Sequence, residues 1–203
     1  MALMVLILVA LAPVRAAAET VILALGDSLT AGYGLSKEDS FATKLEIALA
    51  VKGYKVRVIN AGVSGDTTAG GLARFDWLMA DRPGLVIIEL GANDALRGID
   101  PNQTYKNLDA IVAKAKASGA DVLLTGMLAP PNLGRDYGEQ FNAIYPQLAE
   151  KHQVPLYPFF LDGVAADPSL NLQDGMHPNA EGVSVIVERI LPYVRQVLDG
   201  AAG

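Results

Sequence analysis

The sequence predicts a single three-layer α/β domain, in which helices cover both faces of a five-stranded parallel sheet. Short apolar runs alternate five times with segments of helical periodicity, and no repeat, composition break or linker interrupts the series. The apolar runs are almost continuously hydrophobic, as is typical of parallel strands buried on both faces. The chain of 203 residues is long enough for one full core.

The first strand is predicted at 21–25, and it leads directly into the segment 26–32, Gly-Asp-Ser-Leu-Thr-Ala-Gly. A parallel strand delivers the residues after it to the carboxyl edge of the sheet, where open α/β folds bind their ligands. Ser28 is placed there either as a nucleophile or as the cap of the next helix. For an arbitrary strand-to-helix turn, the cap is the commoner role.

The remaining elements follow in order. Four more strands are predicted from apolar runs, at 56–60, 85–90, 121–127 and 154–157. Five helices are predicted from apolar spacing, at 41–52, from 67 or 68 to 82, 101–118, 139–152 and 178–198. Ser40 and Asp100 are suitable N-caps, Pro101 suits a first helical position, and Gly53 and Gly119 are typical helix ends.

The composition excludes several kinds of partner. The formal net charge is −6 at pH 7, which argues against a nucleic-acid partner because phosphate binding requires a basic surface. No polybasic segment is available to hold the chain on a membrane. Cysteine is absent, so disulfides, thiolate chemistry and cysteine-ligated zinc do not arise.

Residues 1–18 differ from the rest of the chain. An unbroken apolar run at 3–12 is too short to span a bilayer, and alanines at 16 and 18 match an A-x-A cleavage site. We predict a signal peptide at 1–18 and a mature domain at 19–203, which implies a periplasmic or secreted protein without a stable membrane anchor. No basic residue precedes Arg15. Two alternatives therefore stay open, a start codon further upstream and a segment retained as an anchor.

Polar residues follow the predicted strands and should meet at one edge of the sheet. A serine hydroxyl needs a base within hydrogen-bond reach, and a carboxylate is needed to orient an imidazole base. His177 and Asp174 can supply that pair for Ser28 from a single turn. Alternatively, Asp174 or His177 caps the final helix. The second histidine, His152, is predicted to be solvated at a helix end.

Acyl transfer also needs donors directed at a developing oxyanion. The Gly65 N–H, the Asn93 amide and the Ser28 N–H are candidates, although glycine and asparagine are also ordinary turn residues. Asp27 and Asp94, which neighbour these groups, are predicted to brace their loops as hydrogen-bond acceptors.

Four segments together resemble the conserved blocks of the SGNH (GDSL) hydrolases. They are Gly26-Asp27-Ser28-Leu29, Ser64-Gly65-Asp66, Gly91-Ala92-Asn93-Asp94 and Asp174-x-x-His177, in the family's order. The branch of bacterial arylesterases and of acyl-CoA thioesterase I/lysophospholipase L1 enzymes is the most similar, although Ala92 stands where that branch often has glycine.

This resemblance implies a flavodoxin-like fold and a triad of Ser28 as nucleophile, His177 as base and Asp174 as orienting acid. It also implies an oxyanion hole of Ser28, Gly65 and Asn93, with no metal and no organic cofactor. The expected partner is a small acyl ester or thioester, such as an aryl ester, an acyl thioester or a lysophospholipid. The oligomeric state is not determined by the sequence.

The loop 128–138 is apolar enough to line an acyl groove, and a packed surface loop is the alternative. The candidate substrate contacts are Leu96, Pro130, Pro131 and Tyr137. Two other functions stay open at this point: a carbohydrate O-deacetylase of the same superfamily, and a non-catalytic flavodoxin-like module that binds a small ligand.

Overall fold

The computed structural model describes residues 19–200. The signal peptide predicted at 1–18 lies outside the described residues. Within the described part, five parallel strands form one sheet in the order β2-β1-β3-β4-β5. The strands are β1 Thr20–Gly26, β2 Val56–Gly62, β3 Leu85–Glu89, β4 Asp121–Thr125 and β5 Leu156–Tyr157. This is the doubly wound, flavodoxin-like order, in which the chain reverses its winding between β1 and β3 and leaves a crevice at their carboxyl ends.

The helices form two outer layers. They are α1 Ser28–Ala31, α2 Phe41–Val51, α3 Thr68–Leu78, α4 Ala92–Leu96, α5 Pro101–Ala117, α6 Arg135–Asn142, α7 Ile144–His152 and α8 Ala180–Gly200. Helix α2 packs against α8, whereas α3 packs against α5 and α5 against α7. The predicted three-layer α/β architecture is thereby confirmed. Among the described residues, no helix has both the length and the hydrophobicity needed to cross a bilayer.

The burial of the strands explains why continuous apolar runs in the sequence predicted them. Every residue of β3 is buried, as are the last five residues of β1, because helices cover both faces of the sheet there. Strand β2 lies at the edge and is only partly buried. Two predicted helix caps are confirmed, since Ser40 Oγ accepts from the Thr43 N–H and the Asp100 carboxylate accepts from the Asn102 N–H.

The structure corrects the predicted helix at 139–152. Two helices occupy this region, α6 starting at Arg135 and α7 starting at Ile144. Pro146 explains the division, because proline has no N–H to donate and its ring clashes with the preceding turn in a helix interior, but it is tolerated in a first turn. The short helix α4 was not predicted either. Its five residues are too few for an apolar period to be visible.

Gly62 allows the turn after β1 to approach β2 closely. A Cβ atom on Gly62 would lie 2.2 Å from the Ala31 backbone nitrogen and 2.8 Å from the Asp27 carbonyl oxygen. Both contacts are with backbone atoms, which cannot move aside as a flexible side chain can. Ser28 lies between Asp27 and Ala31, so the absence of a side chain at Gly62 helps to set the position of Ser28.

We therefore expect Gly62→Ala to destabilise the protein by about 1–3 kcal/mol through overpacking. Gly138 provides a matched control, because it lies in α6 and a Cβ there meets no atom within 4 Å. Gly138→Ala should stabilise the protein by up to about 1 kcal/mol, since alanine favours the helix. Urea unfolding measures both changes, and a Gly62→Ala variant as stable as the parent would contradict the packing argument.

Candidate active site

Ser28 is the first residue of α1, at the carboxyl end of β1. The cap of this helix is Asp27, whose Oδ1 accepts a hydrogen bond from the Leu29 N–H at 3.0 Å. The capping role that was an alternative for Ser28 thus belongs to its neighbour. The Ser28 hydroxyl is left to interact with groups from other parts of the chain.

Ser28, His177 and Asp174 form one hydrogen-bonded line. Ser28 Oγ lies 2.9 Å from His177 Nε2, and His177 Nδ1 lies 2.7 Å from Asp174 Oδ2. The other oxygen of Asp174 accepts the backbone N–H groups of Met176 and His177 at 2.9 and 3.0 Å. The N–H groups of His177 and Met176, together with the His177 ring, lower the pKa of Asp174 to about 2. Asp174 is therefore ionised at neutral pH and can orient the imidazole.

The other positions considered for a capping or basic role have different functions in the fold. Helix α8 is capped by Asn179, whose Oδ1 accepts from the Glu181 and Gly182 N–H groups at 3.0 Å each. Neither Asp174 nor His177 is needed for that purpose. The prediction that His152 is solvated is wrong: its side chain is only 12% exposed, and its Nε2 lies 2.6 Å from Asp109 Oδ1. This pair joins the end of α7 to α5.

Three hydrogen-bond donors belong to residues that line the cleft containing Ser28. Asn93 is the second residue of α4, and one of its two Nδ2 protons is donated to Asp27 Oδ2 at 2.9 Å. Within residues 19–200, the N–H groups of Ser28 and Gly65 donate to no protein acceptor. The residues Ser28, Gly65, Asn93 and His177 all line the same cleft of about 430 Å³. Residues with such donors, from three separate segments, thus line the same cleft as Ser28.

Arg97 connects two of these segments. Its Nη2 donates to the Gly65 carbonyl oxygen at 2.7 Å, and its backbone N–H donates to the Asn93 carbonyl at 3.2 Å. Gly65 adopts φ = +80°, a conformation that glycine accommodates without strain. The same turn is tied to α3 by Arg74, whose Nε lies 2.8 Å from Asp66 Oδ2.

The two aspartates predicted to brace their loops do so. Asp27 is fully buried and accepts from Leu29 and Asn93, as described above. Asp94 is also fully buried, and its carboxylate accepts from the N–H of Thr68 at 2.8 Å and from the hydroxyl of Thr104 at 3.2 Å. Because Thr68 begins α3 and Thr104 lies in α5, Asp94 fixes α4 between these two helices. This contact orients the neighbouring Asn93.

The cleft wall includes some of the predicted substrate contacts and not others. Leu96 and Pro130 line the cleft, whereas Pro131 and Tyr137 do not. The Tyr137 hydroxyl donates to the Ile99 carbonyl at 2.8 Å, and its ring packs nearly parallel to that of Phe141. Tyr137 is thus committed to packing within the protein. For this part of the loop 128–138, the alternative of a packed surface loop is the better description.

Several cleft residues were not predicted from the sequence. They are Tyr33, Leu161, Ala165, Ala166, Asn171 and Met176, whereas Leu128 belongs to the loop 128–138 that was predicted to line a groove. The Tyr33 ring lies 4.4 Å from the His177 ring, between centroids. Most of the others come from the irregular segment before His177, where no periodicity indicates which side chains face the cleft.

The described residues contain no group of three or more His, Asp or Glu side chains placed to hold a metal ion. The side chains that converge at the cleft are a hydroxyl, an imidazole, an amide and a carboxylate. These are the groups that nucleophilic catalysis by a serine requires, and they lie at the carboxyl edge of a parallel sheet.

Comparison with known proteins identifies the family. The model of the GDSL-like Lipase/Acylhydrolase family matches residues 24–185, so the chain belongs to this family. It is 43% identical to Esterase TesA of Pseudomonas aeruginosa over 91% of this chain and 92% of that protein. It is 46% identical to an Arylesterase of Vibrio mimicus, over 82% and 84% of the two chains.

Two further comparisons agree. The chain is 43% identical to the Thioesterase 1/protease 1/lysophospholipase L1 of Escherichia coli, over 86% of this chain and 83% of that protein. A crystal structure of TesA superposes with a TM-score of 0.84 and 42% identity, covering 88% of this chain and 99% of that one. The resemblance to SGNH (GDSL) hydrolases and the fold predicted from the sequence are both confirmed.

Proposed function

We propose that this protein is a serine hydrolase that cleaves carboxylic esters and thioesters through an acyl-enzyme on Ser28. The observation that carries the proposal is the line from Ser28 Oγ through His177 to Asp174, with distances of 2.9 and 2.7 Å. Membership of an acylhydrolase family and relatives named esterase, arylesterase and thioesterase support the same reaction class.

The geometry supports a two-stage mechanism. His177 Nε2 accepts the hydroxyl proton while Ser28 Oγ attacks the carbonyl carbon, and the imidazolium that forms is stabilised by Asp174. Collapse of the tetrahedral intermediate breaks the ester or thioester bond, and His177 returns the proton to the leaving alcohol or thiol. A water molecule, deprotonated by His177, then attacks the acyl group and releases the acid and free Ser28.

The oxyanion of each tetrahedral intermediate needs preorganised donors. The N–H groups of Ser28 and Gly65 and the second Nδ2 proton of Asn93 are suited to this role, since none is used within the described fold. These donors come from the carboxyl ends of β1, β2 and β3. Their mutual positions are set by the sheet itself and by Arg97.

The cleft walls favour an acyl substituent larger than acetyl. Apolar side chains dominate the wall, and Tyr33, Leu96, Leu128 and Met176 are large hydrophobic residues that remain about half exposed at the cleft. An acyl chain or an aromatic ring would bury this surface, at a gain of about 25 cal/mol for each Å² removed from water. A carbohydrate O-deacetylase would have no use for such a wall.

Hydrolysis of p-nitrophenyl esters, from acetate to decanoate, tests the proposal. We expect turnover with esters longer than acetate and loss of turnover in Ser28→Ala, because the variant has no attacking oxygen. A fluorophosphonate should label the parent protein and leave Ser28→Ala unlabelled. Full turnover by Ser28→Ala would refute the mechanism, and activity restricted to the acetate would favour a deacetylase.

The variant Asn93→Ala should lower kcat by roughly 10²–10³-fold, equivalent to about 3–4 kcal/mol, with a much smaller change in KM. The reason is that an oxyanion donor acts in the transition state and not on the bound substrate. Asn102→Ala is a matched control, because Asn102 is an exposed residue at the start of α5. Steady-state kinetics with one p-nitrophenyl ester measure both variants. Equal kcat values for Asn93→Ala and the parent would exclude the role.

We also propose that residues 1–18 are an export signal and that the mature protein acts in the periplasm or outside the cell. The apolar run at 3–12 and the alanines at 16 and 18 support this location. When the full-length chain is expressed in a Gram-negative host, the intact mass of the exported protein should correspond to a chain that begins at Glu19. Retention of the whole chain in the membrane fraction would instead favour an anchor.

A further inference from the structure

Glu89 is a buried acid that the catalytic steps do not use. It is the last residue of β3, is 1% exposed, and lies beside Gly26 in the register of β1 and β3. A Cβ on Gly26 would lie 2.5 Å from Glu89 Oε2. The missing side chain at Gly26 therefore leaves the space through which the Glu89 carboxyl reaches the turn that carries Ser28.

The Glu89 carboxyl contacts residues on both sides of Ser28. Its Oε2 accepts the Asp27 backbone N–H at 3.2 Å and the Thr30 hydroxyl at 2.8 Å. Asp27 immediately precedes the serine, and Thr30 lies one residue beyond Leu29. One carboxyl oxygen of Glu89 thus binds residues on both sides of Ser28 and fixes the turn between them.

Asp27 carries a second buried carboxyl, next to that of Glu89. Its two oxygens accept the Leu29 N–H and the Asn93 amide, so its charge has two donors. Within the described residues, neither Asp27 nor Glu89 forms an ion pair, and Glu89 Oε1 has no hydrogen-bond partner. Two adjacent buried carboxylates without a cation repel each other and lose their hydration, so only one of them is readily ionised.

The surroundings decide which of the two carries the charge. Burial, and then the negative charge of Asp27, raise the pKa of Glu89 well above its usual range. Burial also raises the pKa of Asp27, to about 6, although the donors Leu29 and Asn93 and the nearby His177 oppose the shift. Above pH 6 the charge therefore resides on Asp27, because both of its carboxyl oxygens have donors whereas Glu89 Oε1 has none.

Other titratable groups near Asp27 and Glu89 do not change which of the two carboxyls is ionised. Asp94 on α4 and Tyr145 on α7 are both buried close by, and neither supplies a positive charge. The Arg74 guanidinium on α3 donates to Asp66 and to the Gly26 carbonyl, at 2.8 and 3.0 Å, and to neither of the two carboxyls.

We propose that Glu89 is a positioning residue that acts as a neutral acid: it fixes the turn around Ser28 and leaves Asp27 as the single carboxylate that orients Asn93. An ionised Glu89 would place a second negative charge beneath the site where the oxyanion forms. The proton on Glu89 thus removes a negative charge that would oppose formation of the oxyanion. The functional part of this inference depends on the esterase proposal, whereas the protonation of Glu89 does not.

Infrared spectroscopy of the unmodified protein tests the protonation. At neutral pH we expect a carbonyl stretching band of a protonated carboxylic acid, which shifts in D₂O and also shifts when the glutamates carry ¹³C. Glu89 is the only buried glutamate among the described residues, so the label assigns the band without any substitution. Absence of a ¹³C-sensitive band at neutral pH would overturn the proposal, whether or not the protein hydrolyses esters.

Two substitutions test the positioning role. Glu89→Gln keeps an acceptor oxygen for Asp27 and Thr30 and is always neutral, so kcat should stay within about threefold of the parent. Glu89→Ala removes the acceptor and should lower kcat by up to about 10²-fold with little change in KM, as expected for a displaced nucleophile. Equal losses of kcat in both variants would overturn the proposal that Glu89 positions Ser28 as a neutral acceptor. If Glu89→Gln does not fold, the infrared measurement on the unmodified protein still decides the protonation.

Discussion

The site depends on how the turn after β1 is held between the ends of its two neighbouring strands. On one side Gly62 of β2 lets the backbone of this turn approach closely, and on the other side Glu89 of β3 binds the residues that flank Ser28. Both contacts need an empty position where a side chain would otherwise lie, at Gly62 and at Gly26. Since packed interiors scarcely deform, this arrangement positions Ser28 before any substrate arrives.

The carboxyl groups of the site fall into two electrostatic classes. Asp174 is partly exposed, receives two backbone N–H groups and the imidazole, and is ionised far below neutral pH. Asp27 and Glu89 are buried against each other and have raised pKa values for the opposite reason, the loss of hydration. Asp174 therefore orients the His177 imidazole, while the buried pair sets the charge next to Ser28.

Hydrogen bonds between helices explain how such a small site stays ordered. Asp94 joins α4 to α3 and α5, and Arg97 joins α4 to the Gly65 turn, so the donors from β2 and β3 are held as one unit. The cleft wall is built differently. Much of it comes from the irregular segments after β4 and β5, where apolar side chains can vary without disturbing the sheet.

The sequence alone predicted the fold class and most of the polar residues that meet at the cleft. Strands buried on both faces produce continuous apolar runs, and Ser28, Asn93, Asp174 and His177 follow those runs at the edge that a parallel sheet creates. Local pattern could not determine which side chains face the cleft. Pro130 lines it while the adjacent Pro131 does not, and Tyr137 is turned away by its bond to Ile99. Only the tertiary structure decided the partners of Asp27, Glu89 and Arg97, because those contacts join residues that are distant in sequence and become neighbours when the sheet and its helices pack.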